Sequence, residues 1–347
     1  MSDTATKKER AAKDGTAPLV AIDDGYAQTK LYGEGPDGRM VRQVIRSSVR
    51  IGSHGLGSFA GDGAIGLWQT EEGNKYTVSD EIEAEDPRFT DFHLSPINRV
   101  LVNHALALAG YGGSKVDIVT GLPVKEFFRE QRKDEERIQR KRDNLARGAF
   151  PKSNGVEAPV LGDIQVGCQA IAAYVDWALD DDFKTRNDIG KTIAIVDIGG
   201  RTTDVAVVVG GKAIDHDRSG TADVGVLDVY KGVLDRVKSR FELDDDALPL
   251  FLMNDAVRNG SMQLFGKPND VTDIVADVVG QVQERALREI QRRIGRAATL
   301  HAIVFVGGGS ALFKDIAGAY QNGVMSDDPE FANARGLYKY FASKRRG

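Results

Sequence analysis

The feature that most constrains the fold of this chain is an apolar stretch, residues 193–209 (IAIVDIGGRTTDVAVVV), with two glycines near its centre. β-Branched apolar residues on both sides of the glycines predict two buried strands joined by a tight turn. Gly199 and Gly200 would let backbone N–H groups approach an anion closely, and Thr202 and Thr203 add hydroxyl donors. The stretch therefore predicts either a phosphate-binding hairpin or an ordinary hairpin with a glycine turn.

The acidic residue before this turn points to a metal. Asp197 stands near the end of the first predicted strand. Proteins usually hold Mg²⁺ with one or two carboxylates together with the ion's own waters. Asp197 is therefore placed to hold Mg²⁺ through water.

Two further stretches favour the phosphate-binding interpretation. Residues 19–32 (LVAIDDGYAQTKLY) repeat the order of apolar strand, acid, glycine turn and second strand, with Thr29 and Lys30 after the turn. Residues 302–313 (AIVFVGGGSALF) place an apolar strand before a triple glycine and a predicted helix start, where free N–H groups and small residues would admit a nucleotide. Two such hairpins with a late strand–glycine–helix unit predict a nucleotide site.

The three stretches resemble the phosphate-1, phosphate-2 and adenosine loops of the superfamily that contains actin, sugar kinases and heat-shock chaperone ATPases. Within it, the chain most resembles the ParM/StbA group of plasmid-segregation actins. The loops occur throughout the superfamily, whereas residues 104–128 (HALALAGYGGSKVDIVTGLPVKEFF) point to this group. The resemblance spans residues 19–342, nearly the whole chain.

The resemblance implies an α/β protein with the actin-like ATPase fold, in which two related domains flank a nucleotide cleft. Residues 18–190 and 326–347 would form the first domain, with a small β-rich insertion at about residues 39–92. Residues 191–325 would form the second domain. Residues 1–17 are charged and lack periodic apolar positions, which predicts a disordered tail.

The resemblance also implies that the cleft binds ATP, or GTP, with Mg²⁺. Asp23 would join Asp197 in ordering the metal waters, and Gln169 would orient the water that attacks the γ-phosphate. ParM relatives carry a glutamate where this chain has Gln169, and a surface glutamine is the alternative. The residues expected to bind the nucleotide are Asp24, Gly25, Tyr26, Thr29, Lys30, Gly199, Gly200, Arg201, Thr202, Thr203, Gly225, Gly307, Gly308, Gly309 and Ser310.

Apolar residues at helical spacing predict the main helices. These helices are expected at residues 95–110, 125–148, 166–179, 225–241, 271–299 and 331–341, with another from the triple glycine to Tyr320. In the highly charged segment 125–148, the resemblance suggests that Lys141 lies near the nucleotide base. The interleaved acids favour a solvated helix face instead.

Composition and charge narrow the range of functions expected of the protein. The net charge of −5 argues against broad direct binding to nucleic acid. The single cysteine, Cys168, excludes an internal disulfide, which fits a reducing cytoplasm, and the absence of a long apolar run predicts no membrane contact. The resemblance implies a bacterial cytoplasmic ATP hydrolase that polymerises into dynamic filaments. It would segregate plasmid DNA through a centromere-binding adaptor protein and contact the DNA only indirectly.

Three other functions fit parts of the pattern. A small-molecule kinase of the same superfamily would need a catalytic aspartate in the cleft, and none stands out in the sequence. A chaperone-type ATPase would need a substrate-binding domain, for which the chain ends too soon. A scaffold that keeps only the fold is disfavoured by the acids in both loops.

Overall fold

The computed structural model describes residues 17–54, 66–82, 84–152, 155–186, 189–243, 248, 250–313 and 315–346. The predicted tail at residues 1–17 lies outside the described residues, except for Ala17. None of the helices in these ranges is both long and apolar enough to cross a membrane.

Strands dominate the first half of the chain. They are β1 (Leu19–Asp24), β2 (Gln28–Glu34), β3 (Met40–Arg46), β4 (Val49–Ile51), β5 (Gly66–Thr70), β6 (Lys75–Val78), β7 (Lys115–Leu122), β8 (Phe128–Arg129), β9 (Arg132–Lys133), β10 (Ala149–Pro151) and β11 (Val160–Cys168). The helices between and after them are α1 (Pro96–Leu106), α2 (Val124–Phe127), α3 (Glu135–Ala146) and α4 (Gln169–Ala178). A 3₁₀ turn, Phe92–Leu94, precedes α1, and a π-helical turn, Ala107–Tyr111, extends it.

The second half repeats this mixture with longer helices. Its strands are β12 (Thr192–Ile198), β13 (Thr203–Val209), β14 (Ala213–Ala222), β15 (Ser261–Leu264), β16 (Lys267–Asp270), β17 (Ala302–Val306) and β18 (Gly323–Met325). Its helices are α5 (Val226–Phe241), α6 (Leu250–Asn259), α7 (Thr272–Ile294), α8 (Gly308–Leu312) and α9 (Ala332–Arg346). Two 3₁₀ turns, Ala317–Ala319 and Pro329–Phe331, lie in the loops before and after β18.

Two five-stranded sheets share one plan. Their strand orders are β11-β7-β1-β2-β3 and β14-β13-β12-β17-β18. In the first, β1 pairs antiparallel with β2 and parallel with β7; in the second, β12 pairs antiparallel with β13 and parallel with β17. Both β1 and β12 are apolar and buried almost along their whole length, as expected of strands covered on both faces. Each sheet therefore carries an acid–glycine hairpin beside its central strand.

A third, smaller sheet is attached to the first. Its strand order is β10-β5-β6-β4. Strands β4 to β6 come from the range of the expected insertion, residues 39–92, whereas β10 follows α3 and β3 belongs to the large sheet. The small sheet is therefore completed by a strand from much later in the chain.

The C-terminal helix returns to the first half of the protein. Helix α9 packs along α4 and against β1. Asp176 of α4 is fully buried and accepts hydrogen bonds from Arg335 Nη2 at 2.6 Å and Lys339 Nζ at 2.9 Å. Buried charges are stable only when they are paired in this way. These ion pairs fix α9 to α4.

The structure confirms the two predicted hairpins and the helices α1 and α5. Helices α7 and α9 begin one residue after their predicted starts, but α7 ends at Ile294, five residues early, and α9 ends at Arg346, five residues late. The caps explain where α1 begins: Ser95 Oγ accepts from the backbone N–H of Asn98 at 3.2 Å, and Pro96 takes the first helical position. The prediction of a helix from residue 166 was wrong, since α4 begins at Gln169. Residues 166–168 instead extend β11 beside β7, so that sheet pairing overrides helical propensity there.

Two other helix predictions also need correction. The segment 125–148 is interrupted by a hairpin of β8 and β9, whose turn residues Glu130 and Gln131 both have positive φ. The helix after the triple glycine ends at Leu312 rather than Tyr320. Beyond it the apolar residues Phe313, Ile316 and Tyr320 pack into the core from a loop and a short 3₁₀ turn, which reproduces a helix-like spacing.

Candidate functional site

A cleft of about 460 Å³ is lined by residues from the acid–glycine hairpins of both five-stranded sheets. Its walls come from the β1–β2 turn, the β12–β13 turn and the glycines at the start of α8, with side chains of α4, α5 and α6. A volume of this size is typical of small-molecule sites, which commonly measure 300–1,000 Å³. The cleft thus brings together the three glycine-rich stretches that the sequence singled out.

Asp23 forms the centre of one wall. It lies near the end of β1, is 4% exposed, and accepts a hydrogen bond from Lys30 Nζ at 3.3 Å. Lys30 faces it across the hairpin, because the two residues are register partners. Gln169, the first residue of α4, donates from Nε2 to Asp23 Oδ1 at 3.0 Å. The structure therefore places a carboxylate, an ammonium and an amide together at this wall.

Asp197 occupies the corresponding position on β12. Asn333 donates from Nδ2 to Asp197 Oδ2 at 2.7 Å. Burial, and then the negative charge of Asp23, raises the pKa of Asp197 to about 7, against a smaller opposing effect of the Asn333 hydrogen bond. The negative charge that Asp23 places beside Asp197 favours a divalent cation there, since a cation between the two carboxylates would relieve their repulsion.

Glycines make the close approach of the loops possible. A Cβ on Gly200 would lie 2.5 Å from Ala27 Cβ, so the β1–β2 and β12–β13 turns come closer together than any side chain would allow. Gly307 has φ of +85°, and a Cβ there would lie 2.3 Å from Asp197 Oδ1. Larger residues at either position would push the cleft walls apart.

The other predicted cleft residues are placed along the same walls. Gly199 donates its N–H to Thr202 O at 2.8 Å and closes the β12–β13 turn. The remaining residues of the predicted set that line the cleft are Gly25, Tyr26, Thr202, Gly308 and Gly309. The turns predicted from the sequence therefore lie in the cleft. The roles of the individual residues in nucleotide binding stay predictions.

Asp24 points away from the cleft. It is 1% exposed and accepts hydrogen bonds from Lys141 Nζ at 2.7 Å, Asn98 Nδ2 at 2.7 Å and Thr120 Oγ1 at 2.5 Å. Lys141 is itself fully buried. It therefore does not line the cleft, where the resemblance suggested a place near the nucleotide base, and it does not lie on a solvated helix face.

Five other predicted residues support the cleft from behind and do not line it. Thr29 contacts Ser47 Oγ, Thr203 donates to Val224 O, Ser310 donates to Val306 O, Arg201 donates to Phe89 O, and Gly225 packs against the carbonyls of Gly199 and Gly200. Helix α5 begins at this point, and its first N–H groups, on Val226 and Leu227, donate to the same two carbonyls. The helix start therefore holds the β12–β13 turn in place.

Several residues of the cleft were not predicted as site residues. Asp204 is the cross-strand partner of Asp197, and the register of the hairpin could have revealed it. It accepts from Thr202 Oγ1 at 2.8 Å and from Thr221, and burial raises its pKa. Tyr230, Asn254 and Asn333 come from distant helices, and nothing in their local sequence points to the cleft.

The side chains of the cleft suit a cation that is held through its own waters better than one that several protein atoms bind directly. Among the described residues, no group of three or more His, Cys, Asp or Glu side chains could hold a metal ion. Of the four acids that line the cleft, Asp204 already accepts hydrogen bonds at both oxygens and Glu330 follows β18, whereas Asp23 and Asp197 lie near the ends of the two central strands. Two carboxylates with open space beside them fit Mg²⁺, which keeps several of its own waters in most protein sites.

Two family models match separate parts of the chain. The model of the N-terminal part of plasmid segregation protein ParM matches residues 19–177. The model of the C-terminal part of an archaeal MreB-like actin homologue matches residues 195–317. No curated protein sequence matches the chain.

Solved structures share the fold at low sequence identity. A non-polymerisable quadruple mutant of pCBH ParM is 21% identical with a TM-score of 0.74, and the match covers 94% of this chain and 100% of that chain. The archaeal actin homologue Ta0583 is 19% identical with a TM-score of 0.72, covering 94% and 99%, and has also been solved with ADP. A subunit of a 15-stranded ParM filament from Clostridium botulinum is 19% identical with a TM-score of 0.70, covering 94% and 99%.

The fold and the family models agree with each other. The structure has the two hairpin-bearing sheets and the intervening cleft of an actin-like protein. The first model matches the part of the chain with the first hairpin, and the second matches the part with the second hairpin and the triple glycine. Together these findings show the actin-like fold and support a ParM-type actin-like protein.

Proposed function

We propose that this protein is a Mg²⁺-dependent ATPase that binds its nucleotide in the cleft between the two phosphate hairpins. The convergence of Asp23, Asp197 and Gln169 in one cleft is the observation that carries the proposal. The ADP complex of Ta0583 supports nucleotide binding by this fold. GTP is the alternative nucleotide, and competition with ATP would identify the preferred one.

The residues that line the cleft would have different roles in nucleotide binding, according to their chemistry. Backbone N–H groups of the turns at Gly25 and Gly200 would bind the phosphates, and Lys30 would add a positive charge. Asp23 and Asp197 would hold Mg²⁺ through its waters, and the ion, when bound, neutralises phosphate charge. The glycines at the start of α8 would admit adenosine, since they present no side chains to it.

Gln169 would position the attacking water. Its Nε2 is fixed by the hydrogen bond to Asp23 Oδ1, which orients the amide so that its oxygen can accept a hydrogen bond from water. Phosphoryl transfer depends mainly on positioning and electrostatics, so one fixed amide makes a large contribution. Asp197→Ala should abolish Mg²⁺-dependent hydrolysis, and unchanged turnover in this variant would refute the metal assignment.

We further propose that the protein polymerises into dynamic filaments that segregate plasmid DNA in the bacterial cytoplasm. The family match to ParM and the filament of the Clostridium botulinum ParM support self-association. The DNA would be contacted indirectly, through a centromere-binding adaptor protein. The acidic net charge of the chain, −5, fits this indirect contact.

The kinase alternative has less support. The matching family models describe cytoskeletal proteins rather than small-molecule kinases. Asp204 is a further acid in the cleft, but it accepts hydrogen bonds from Thr202 and Thr221 at both of its oxygens. A panel of sugars would stimulate ADP release from a kinase and would leave an assembly ATPase unaffected.

Light scattering and pelleting with ATP, ADP and a non-hydrolysable ATP analogue test the proposal. A segregation actin should assemble with ATP or the analogue and disassemble as ATP is consumed. The Asp197→Ala variant is the matched control, because it lacks one of the two metal-ordering carboxylates. Tight ATP binding without assembly at any protein concentration would contradict the filament proposal and favour the kinase or scaffold.

A further inference from the structure

Two amide side chains each hold one of the two cleft carboxylates. Gln169 donates to Asp23 at 3.0 Å, and Asn333 donates to Asp197 at 2.7 Å. Gln169 begins α4, and Asn333 lies in the first turn of α9, which packs along α4. One pair of packed helices therefore presents both amides to the cleft.

The oxygen of Asn333 is left without a partner. Asn333 lines the cleft and is only 5% exposed. Its Nδ2 faces Asp197, which is the orientation that the ionised form of this carboxylate selects, because an ionised carboxylate can only accept hydrogen bonds. Its Oδ1 is buried and has no hydrogen-bond partner among the described residues. A buried acceptor without a donor is costly, and a bound ligand that supplies a donor would remove the cost.

The anchoring of α9 makes this orientation rigid. Arg335 and Lys339, on the turns that follow Asn333, bind the fully buried Asp176 of α4. The helix that carries Asn333 therefore cannot move away from Asp197 without disturbing a buried ion-pair cluster. If Asn333 only linked α9 to β12, its Nδ2 alone would be needed. The unpaired Oδ1 of Asn333 beside the carboxylate would then have no explanation.

We propose that Asn333 is a positioning residue of the metal–nucleotide site, which fixes the Asp197 carboxylate through Nδ2 and accepts a hydrogen bond from a metal-bound water through Oδ1. The inference rests on the proposed Mg²⁺-dependent ATPase function. Waters on Mg²⁺ are strong donors, and the ion retains several of them in proteins. Removing a partner of a metal-binding residue typically lowers metal affinity or activity about 10- to 100-fold.

Nucleotide affinity measured with and without Mg²⁺ tests the proposal without relying on turnover. The dissociation constant of ATP is measured by calorimetry in excess Mg²⁺ and in EDTA, and the ratio gives the gain in affinity due to the metal. Asn333→Leu should lower this gain about 10- to 100-fold and leave the affinity in EDTA unchanged. Asn333→Ala also removes the amide and is too small to overpack the site. It should show the same loss, and it keeps the test possible if the leucine variant fails to fold.

Arg335→Gln is the matched control, since it removes one of the two anchors of the same helix, leaves Lys339 bound to Asp176, and keeps the contact of Asn333 to Asp197. It should keep the full gain from Mg²⁺. A full gain in both Asn333 variants, or an equal loss in Arg335→Gln, would overturn the inference and leave Asn333 a structural link. Wild-type protein that binds ATP equally well in EDTA and Mg²⁺ would instead refute the proposed metal dependence itself, so the two failures are distinguishable.

Discussion

Lys141 Nζ lies 2.7 Å from Asp24 Oδ2 in the interior of the protein, and neither side chain is more than 1% exposed. Lys141 also donates to Gly121 O at 2.6 Å, while Asn98 and Thr120 donate to Asp24. The cluster joins α1, α3, β1 and β7 directly behind the first phosphate turn. Asp24 therefore supports the turn from the side opposite the cleft.

Lys141→Met should destabilise the protein by about 3–5 kcal/mol, because it leaves the Asp24 carboxylate buried without its cation. Urea unfolding measures the change in the free energy of unfolding. The double variant Lys141→Met, Asp24→Asn removes both charges and should recover part of the loss. A cost below about 1 kcal/mol for the single variant would show that the pair adds no more than an exposed ion pair.

Gly200→Ala should weaken nucleotide binding. Its new Cβ would lie 2.5 Å from Ala27 Cβ and 2.7 Å from the Ala27 backbone N, so the two phosphate turns would have to separate. Gly199→Ala is the matched control, since a Cβ there would meet only Thr202 O at an ordinary 3.4 Å. Fluorescent-nucleotide titration should show a loss of about tenfold or more for Gly200→Ala alone. Equal losses in both variants would contradict the importance of this contact.

Cys168 should be unreactive in the folded protein. Burial raises the pKa of its thiol to about 12, and the thiol is enclosed at the end of β11. Since the thiolate is the reactive species, alkylating reagents should label Cys168 only when the protein unfolds. Mass spectrometry after brief exposure to iodoacetamide, with and without urea, measures this difference. Rapid labelling without urea would show that the start of α4 opens in the native state.

The sequence predicted those parts of the site that lie within continuous stretches. The glycine turns around Gly25 and Gly200 and the acids Asp23 and Asp197 were all found, because each turn follows an apolar strand with an acid near its end. The periodic apolar stripes likewise predicted α5 and the start of α7, although α7 ends at Ile294, five residues before the predicted end. Local patterns therefore sufficed wherever strand, turn and acid are adjacent in the chain.

The sequence could not decide what depends on orientation or on distant contacts. Asp23 and Asp24 are neighbours on β1, and successive strand residues face opposite sides, but the pattern does not show which one faces the cleft. Asn333 reaches Asp197 across 136 positions of the chain. Helix α4 was placed too early because β11 gains its hydrogen bonds from β7, which the local sequence does not reveal.

Gln169→Leu should slow ATP hydrolysis about 10²-fold while leaving nucleotide affinity nearly unchanged. Leucine keeps the volume of the side chain but loses the amide that is fixed by Asp23. Phosphate release in single-turnover experiments measures the hydrolysis step directly. Gln165→Leu, a change at a partly exposed position on β11 that contributes nothing to the cleft, is the control and should hydrolyse normally. Normal phosphate release by Gln169→Leu would show that another group orients the water.

The stability of the nucleotide-free protein should fall as pH rises from about 4 to 7 because of Asp197. Burial and the charge of Asp23 raise the pKa of Asp197 to about 7, whereas an aspartate in an unfolded chain titrates near about 3.9. Between these values the folded protein binds a proton that the unfolded chain has released. The free energy of unfolding contributed by this group therefore falls with pH in that window and becomes constant above it.

Asp197→Asn isolates this contribution, because asparagine carries no titrating proton and keeps the shape of the side chain. Urea unfolding of both proteins at pH 5, 6, 7 and 8 measures the difference in their free energies of unfolding. Wild type should lose stability relative to the variant by up to about 1.4 kcal/mol per pH unit between pH 5 and 7, with little further change by pH 8. A difference that stays constant from pH 5 to 8 would mean that Asp197 is ionised throughout, and that Asp23 and Asp197 share the cleft without measurable repulsion.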